Sequence, residues 1–227
     1  MQSLIHLFFP KICYACGKPL GKNIDHICLQ CRYEIPRTNA YGKDNNPIEK
    51  IFWGRLEIER ATSFLRFQKK GKIQNLIYHF KYKGIKEIGI SLGSWAANEL
   101  SEVGFFQGID GIVPIPIHKN KKRKRGYNQS DFIAQGIFEA TGIPINSELI
   151  YKSIHTSSQT KKGRYKRWEN VLSSFSLNKD LVQSATNQHL LLVDDVLTTG
   201  ATIEACGKVL KEIPRLKLSL LTIASTY

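Results

Sequence analysis

Apolar positions along the chain follow two periods in alternation. Leu190, Leu191, Leu192 and Val193 form an unbroken apolar run, as expected of a strand buried on both faces of a parallel sheet. Residues 61–67 alternate enough for a strand. Residues 109–117 are a β-branched run carrying Pro114 and Pro116, residues 149–154 are apolar, and residues 218–224 supply a last strand. Between these runs the period lengthens. Ile73, Leu76, Ile77 and Phe80 stand at i, i+3, i+4 and i+7, one face of a helix. It closes in Lys81-Tyr82-Lys83-Gly84, with cations and a glycine where a helix C-terminus favours them. A second helix is expected over about residues 88–100. A third is expected to be capped by Ser130 and to carry Phe132, Ile133, Ile137 and Phe138. Strands alternating with helices predict an α/β domain around a parallel sheet.

The residues just after the run at 190–193 give the sheet its chemistry. Asp194 and Asp195 end the strand, placing two carboxylates at the carboxyl edge, where open α/β sheets bind ligands. Thr198, Thr199, Gly200, Ala201 and Thr202 then turn the chain into a helix beginning near Ala201. A glycine, three hydroxyls and the N–H groups of a helix N-terminus suit a phosphate. One ligand satisfies both halves, a ribose 5-phosphate unit. The loop holds its phosphate, the carboxylates accept from two sugar hydroxyls, and magnesium beside a diphosphate is held through water. No G-x-x-x-x-G-K-[ST] occurs, which excludes a Walker-type site.

Cysteines change the picture at the other end. Cys13, Cys16, Cys28 and Cys31 read C-x₂-C-x₁₁-C-x₂-C, two knuckles that can aim four thiolates at one tetrahedral metal. In a reducing compartment this spacing predicts structural zinc rather than disulfides. Four thiolates leave no open position, so the zinc is not catalytic. His26 is close enough to be an alternative ligand but reads as a bystander, and Cys206, far away, is a small core residue. The expected organisation is a zinc-ribbon module over residues 1–36 with a short leading helix, a polar, turn-rich linker over 37–50, and an α/β domain over 51–227. No apolar run approaches the ~18 residues of a membrane span. Residues 1–10 lack the basic start and cleavage site of a signal peptide, so a cytoplasmic protein is expected.

Net charge is +14 and the sequence pI about 9.6, which favours polyanionic partners. The charge is clustered. Six of seven residues from 119 to 125 are basic, in a segment read as a loop that contains Lys119, Lys121, Lys122, Lys124 and Arg125. Five of seven from 161 to 167 are basic, including Arg164 and Arg167. If the strands leading into both segments run parallel to the 190–193 strand, both rise over the edge that carries Asp194.

In order, the chain reads as a four-cysteine ribbon, a K-Y-K-G step, P-x-P with a basic R-G-Y-N-Q-S segment, a Q…R…R-x-x-N segment and V-D-D-V-L-T-T-G-A-T. This resembles the ComF family of competence proteins over nearly the whole chain, and the last motif resembles the phosphoribosyl diphosphate (PRPP) fingerprint of type I phosphoribosyltransferases. Arg125, Gly126, Asn128, Gln129, Gln159, Arg164, Arg167 and Asn170 match that pattern. The resemblance implies a type I phosphoribosyltransferase-like sheet, PRPP with magnesium as ligand, and a role in handling single-stranded DNA during natural transformation with a competence helicase as partner. It implies Arg125, Arg164 and Arg167 at the diphosphate. A catalytic domain would displace diphosphate from ribose C1, with Asp194 and Asp195 as the catalytic carboxylates. The alternative is a phosphoribosyltransferase of nucleobase salvage. Arg125 is assigned to the diphosphate and the surplus Lys119, Lys121, Lys122 and Lys124 to a nucleic-acid backbone.

Overall fold

The computed structural model describes residues 11–22, 24–43, 45–152 and 174–227. Two cysteine knuckles lead into α1 (Leu29–Glu34), followed by α2 (Pro47–Lys50), β1 (Arg60–Arg66), α3 (Lys72–Tyr82), α4 (Glu87–Glu102) and β2 (Gly111–Pro114). Then come α5 (Lys119–Arg125), α6 (Gln129–Thr141), β3 (Ile150–Lys152), β4 (Phe175–Leu177) and α7 (Val182–Ala185). The chain finishes with β5 (His189–Leu197), α8 (Ala201–Leu210) and β6 (Lys217–Ser225).

Four strands form one all-parallel sheet in the order β1-β6-β5-β2. β5 is central, and Leu190 through Val193 are buried, as an apolar run without alternation requires of a strand covered on both faces. On one face lie α3, α4 and α6. Ile73, Leu76, Ile77 and Phe80 of α3 are all buried there, each worth roughly 1.5–3 kcal/mol relative to exposure. On the other face Ile203, Cys206 and Leu210 of α8 pack with Leu190, Leu192, Leu218 and Leu220. Helices α4 and α6 approach too closely for side chains at their crossing. A Cβ on Gly136 would lie 2.1 Å from the Ile90 carbonyl oxygen, and one on Gly93 2.2 Å from that of Ile133.

The cysteine knuckles share the core of the α3–α4–α6 face. Cys13, Ala15, Ile27, Cys31 and Ile35 are buried in one cluster with Ile73, Phe80 and Trp95. Polar ties reinforce this: the Asn75 amide donates to the Ala15 carbonyl at 3.0 Å, and Lys72 pairs with Glu34. Residues 37–43 and 45–50 run along the free side of β1, where the Thr38 N–H donates to the Phe64 carbonyl and the Asn46 amide to that of Ala61.

Three local readings need correction. The basic segment expected as a loop is the helix α5. Lysine and arginine are good helix formers, His118 Nδ1 accepts from the Asn120 N–H at 3.1 Å as the cap, and the cations of the last turn complement the C-terminal carbonyls. Helix α6 starts two residues earlier than expected, with Asn128 rather than Ser130 at its N-cap, and the Ser130 hydroxyl donates to Asp194 instead. The apolar run at 149–154 is not a strand of the main sheet. Its residues Ile150–Lys152 pair antiparallel with Phe175–Leu177 in a separate two-stranded sheet. The condition of parallel leading strands therefore holds for the first basic segment, after β2, and fails for the second. Arg164, Arg167, Gln159 and Asn170, like the expected leading helix of residues 1–10, lie outside the described residues.

Candidate functional site

Strand β5 ends in two carboxylates with different partners. Asp195 turns toward α3, where Lys81 Nζ lies 2.9 Å from each of its carboxylate oxygens. Asp194 is half-buried and accepts from the Ser130 hydroxyl of α6 at 3.1 Å and from the Asp195 N–H at 2.9 Å. Burial, and then the neighbouring Asp195 charge, push the Asp194 carboxyl up to about 7, against the opposing pull of the Asp195 N–H, Lys81 and Ser130. One carboxylate is thus held by an ammonium, and the other is raised above the ordinary carboxylate range by burial and by its neighbour.

The threonine turn sits directly beyond. Thr198 and Thr199 are exposed, and Gly200 has φ +77°, a left-handed conformation that turns the chain into α8. A Cβ there would also come within 3.1 Å of the Ile51 and Phe52 side chains. Asp194 and residues 196–203 together line a pocket of about 40 Å³. Arg55 braces the turn from behind. Its Nη1 donates to the Thr199 carbonyl at 3.3 Å, and its Nε donates to Glu204 in the first turn of α8 at 3.0 Å. Glu204 is buried and also accepts from Lys208 at 2.7 Å.

A basic wall faces the carboxylates. Lys81, Tyr82, Gly84, Lys121, Lys124 and Arg125 line a second pocket of about 310 Å³ between the end of α3 and α5. The half-buried Arg125 donates to Gln129 Oε1 at 2.9 Å, whereas Lys119, Lys121, Lys122 and Lys124 are exposed. Among the described residues no carboxylate pairs with any of these four lysines. Asn128 Oδ1 and Gln129 Nε2, on either side of the peptide leading to Ser130, are buried and find no hydrogen-bond partner among the described residues. Lys152 at the end of β3 is drawn into the same field. Burial first, and then the charge of Lys121, lower its ammonium pKa, and its Nζ lies 4.7 Å from the Phe175 ring centroid.

The structure therefore brings together Asp194, Asp195, the turn from Thr198 to Thr202, Arg125 and α5. Lys81, Ser130 and Arg55 also join the site, and the sequence alone did not assign them to it. The K-Y-K-G step is the local signal for Lys81, reading both as a helix end and as one of the motifs of the family pattern. Nothing local marks Arg55, which stands 144 residues from Thr199.

At the opposite end of the chain the four thiol sulfurs lie within 4.8 Å of one another, and Cys16 Sγ is 3.9 Å from Cys28 Sγ. Such a set could hold a metal ion. The Cys28 N–H points at Cys13 Sγ and the Cys31 N–H at Cys28 Sγ, as thiolate ligands require. Burial raises the Cys13 thiol, but the N–H groups of Cys28, Cys16 and Ala15 bring it down to about 7. Burial and its neighbours push Cys31 up. His26 is not in this set, because its Nδ1 lies 3.0 Å from the Ser91 hydroxyl on α4.

The parallel sheet, its terminal carboxylate pair and the threonine turn define an α/β protein with a candidate anion-binding sheet edge, carrying a four-cysteine module. Comparison with known proteins extends this to particular relatives. The chain is 28% identical to the competence protein ComFC of Bacillus subtilis over 202 residues, 89% of this chain and 78% of that protein. It is 27% identical to the DNA utilization protein YhgH of Escherichia coli K12 over 220 residues, 90% and 92% of the two chains. Competence protein F of Haemophilus influenzae is 30% identical over 104 residues, 46% of this chain and 45% of that protein. The resemblance to the ComF competence proteins accordingly stands, with ComFC and YhgH each matching most of the chain. No family model matches. Similar solved structures include adenine phosphoribosyltransferase from Leishmania tarentolae, at 11% identity, TM-score 0.41 and 75% and 94% coverage of the two chains. Another is the glutamine PRPP amidotransferase of B. subtilis, at 18% identity, TM-score 0.39 and 58% and 25% coverage.

Proposed function

We propose that this chain is a PRPP-binding protein of the ComF type that handles single-stranded DNA during uptake, with a structural zinc in its N-terminal module. The observation that supports it best is convergence at one sheet edge. The threonine turn suits the 5-phosphate, Asp194 and Asp195 suit the ribose hydroxyls, and Lys81 and Arg125 suit the diphosphate. Arg164 and Arg167 join them in this reading. The carboxylates also suit a water-mediated magnesium, which would share Asp195 with Lys81 or take its place there. Magnesium would supply charge neutralisation at the diphosphate. The segments 1–36, 37–50 and 51–227 serve as zinc module, connector and ligand domain. A competence helicase is the partner that the resemblance implies, and the cytoplasm is where the two would meet.

Lysines 119, 121, 122 and 124 exceed what one diphosphate needs, and in this reading they track a nucleic-acid backbone. DNA binding across a salt series tests this. Neutralising two phosphate-contacting lysines in Lys121→Ala/Lys122→Ala should lower the single-strand salt slope by roughly 1.4, about 0.7 per contact. Affinity should fall alike for unrelated sequences. An unchanged slope together with a collapse of PRPP binding would place these lysines in the ligand site instead.

A further inference from the structure

Helix α3 buries one face in the core and leaves two tyrosines on the other. Tyr78 and Tyr82 stand at i and i+4, 47% and 62% exposed, with ring centroids 5.7 Å apart and planes inclined at 44°. Each ring has a cation beside it. Lys83 Nζ lies 5.8 Å from the Tyr78 centroid and Arg125 Cζ 5.6 Å from that of Tyr82. Tyr82 also lines the pocket of about 310 Å³ whose other walls are Lys81, Gly84, Lys121, Lys124 and Arg125. That volume is at the lower end of the range of small-ligand pockets, enough for a nucleobase. No aspartate or glutamate occurs from residue 60 to 86 or from 111 to 130, so the two segments that form this surface carry no acid of their own, and Asp195, which reaches it from β5, is paired with Lys81.

We infer that Tyr78 and Tyr82 form a base-stacking platform for single-stranded nucleic acid whose phosphates run along α5. The inference rests on the proposed DNA-handling role and adds to it the contact that selects a single strand. A lysine track alone attracts any polyanion, duplex included. Two exposed aromatic rings beside it offer π-faces that only unpaired bases can reach. A protein partner could also use exposed tyrosines, but the surplus of lysine around these two, with the neighbouring Asp195 already paired, favours a polyanion. Lys81, the neighbour of Tyr82, is paired with Asp195, so a strand on the platform would lie beside the carboxylate edge.

The test uses the full chain, fluorescence anisotropy and three labelled probes: oligothymidine, an abasic oligomer of equal length, and a duplex. Tyr78→Ala/Tyr82→Ala should weaken oligothymidine binding at fixed salt, roughly 5- to 150-fold per stacked base lost. The salt slope should stay unchanged. Tyr78→Phe/Tyr82→Phe should bind as wild type. The abasic oligomer should bind wild type as weakly as oligothymidine binds the alanine variant, and duplex binding should not respond to either variant. The platform is overturned if the alanine variant keeps wild-type affinity for oligothymidine, or loses affinity equally for intact and abasic probes. Wild-type protein that binds no single strand even at low salt would overturn the DNA-handling role itself, and the platform with it.

Discussion

Lys81, in the last turn of α3, holds both carboxylate oxygens of Asp195, the second acid at the end of β5, each at 2.9 Å. The pair joins the basic pocket to the acidic sheet edge. It is also mostly withdrawn from solvent, with side-chain exposures of 18% and 12%. Breaking it by removing the cation should therefore cost more than a surface salt bridge would.

For Lys81→Met we predict a loss of about 3 kcal/mol in unfolding free energy, because Asp195 is left charged and unpartnered. Lys81→Arg should lose less. Urea denaturation reads both, and an unchanged midpoint in Lys81→Met would mean that water already screens the pair.

The elevated Asp194 carboxyl gives a pH dependence of definite sign. Its folded pKa of about 7 lies above the ordinary carboxylate value, so the folded protein holds the extra proton between about pH 4 and 7. This group's contribution to stability is complete below that window and is lost as pH rises through it. Sugar hydroxyls and magnesium need the ionised form, so PRPP binding should move the opposite way and strengthen as pH rises. With a binding-competent fraction near a tenth at pH 6 and nine tenths at pH 8, affinity should rise about tenfold. Asp194→Asn should flatten the profile, and calorimetry at both pH values checks it.

The cysteine module should bind one zinc per chain. Cys28→Ser should release the metal and loosen residues 11–35 while leaving the threonine turn formed, since α8 packs on the opposite face of the sheet. Elemental analysis of freshly purified protein, with hydrogen exchange on the variant, reads both outcomes. Because the knuckles share the core with α3, exchange should also quicken at Ile73 and Leu76.

Elements with a strong period were legible before the fold was known. The apolar stripe of α3, the unbroken run of β5 and the paired C-x₂-C knuckles each carry their structure in local spacing. Helix α5 was not legible, because an almost uniformly basic segment has no apolar face to reveal a period, and its cap and propensity had to decide it. β3 misled because three apolar-flanked residues cannot say which sheet they join. At the site, Asp194, Asp195 and the threonine turn are contiguous and readable as one motif. Lys81 and Ser130 reach it from 114 and 64 residues away, a closeness that only the packing of α3 and α6 on β5 creates.

Calorimetric titration of PRPP with magnesium into the wild-type chain and into Asp194→Asn/Asp195→Asn tests the sheet-edge site most directly. Each charge-assisted hydrogen bond lost is worth roughly 1.5–3 kcal/mol, so the double variant should bind at least a hundredfold more weakly, if at all. Thr199→Val should fall between the two. Equal affinity in the wild type and the double variant, or no binding by the wild type, would contradict the assignment of this sheet edge to a ribose 5-phosphate ligand.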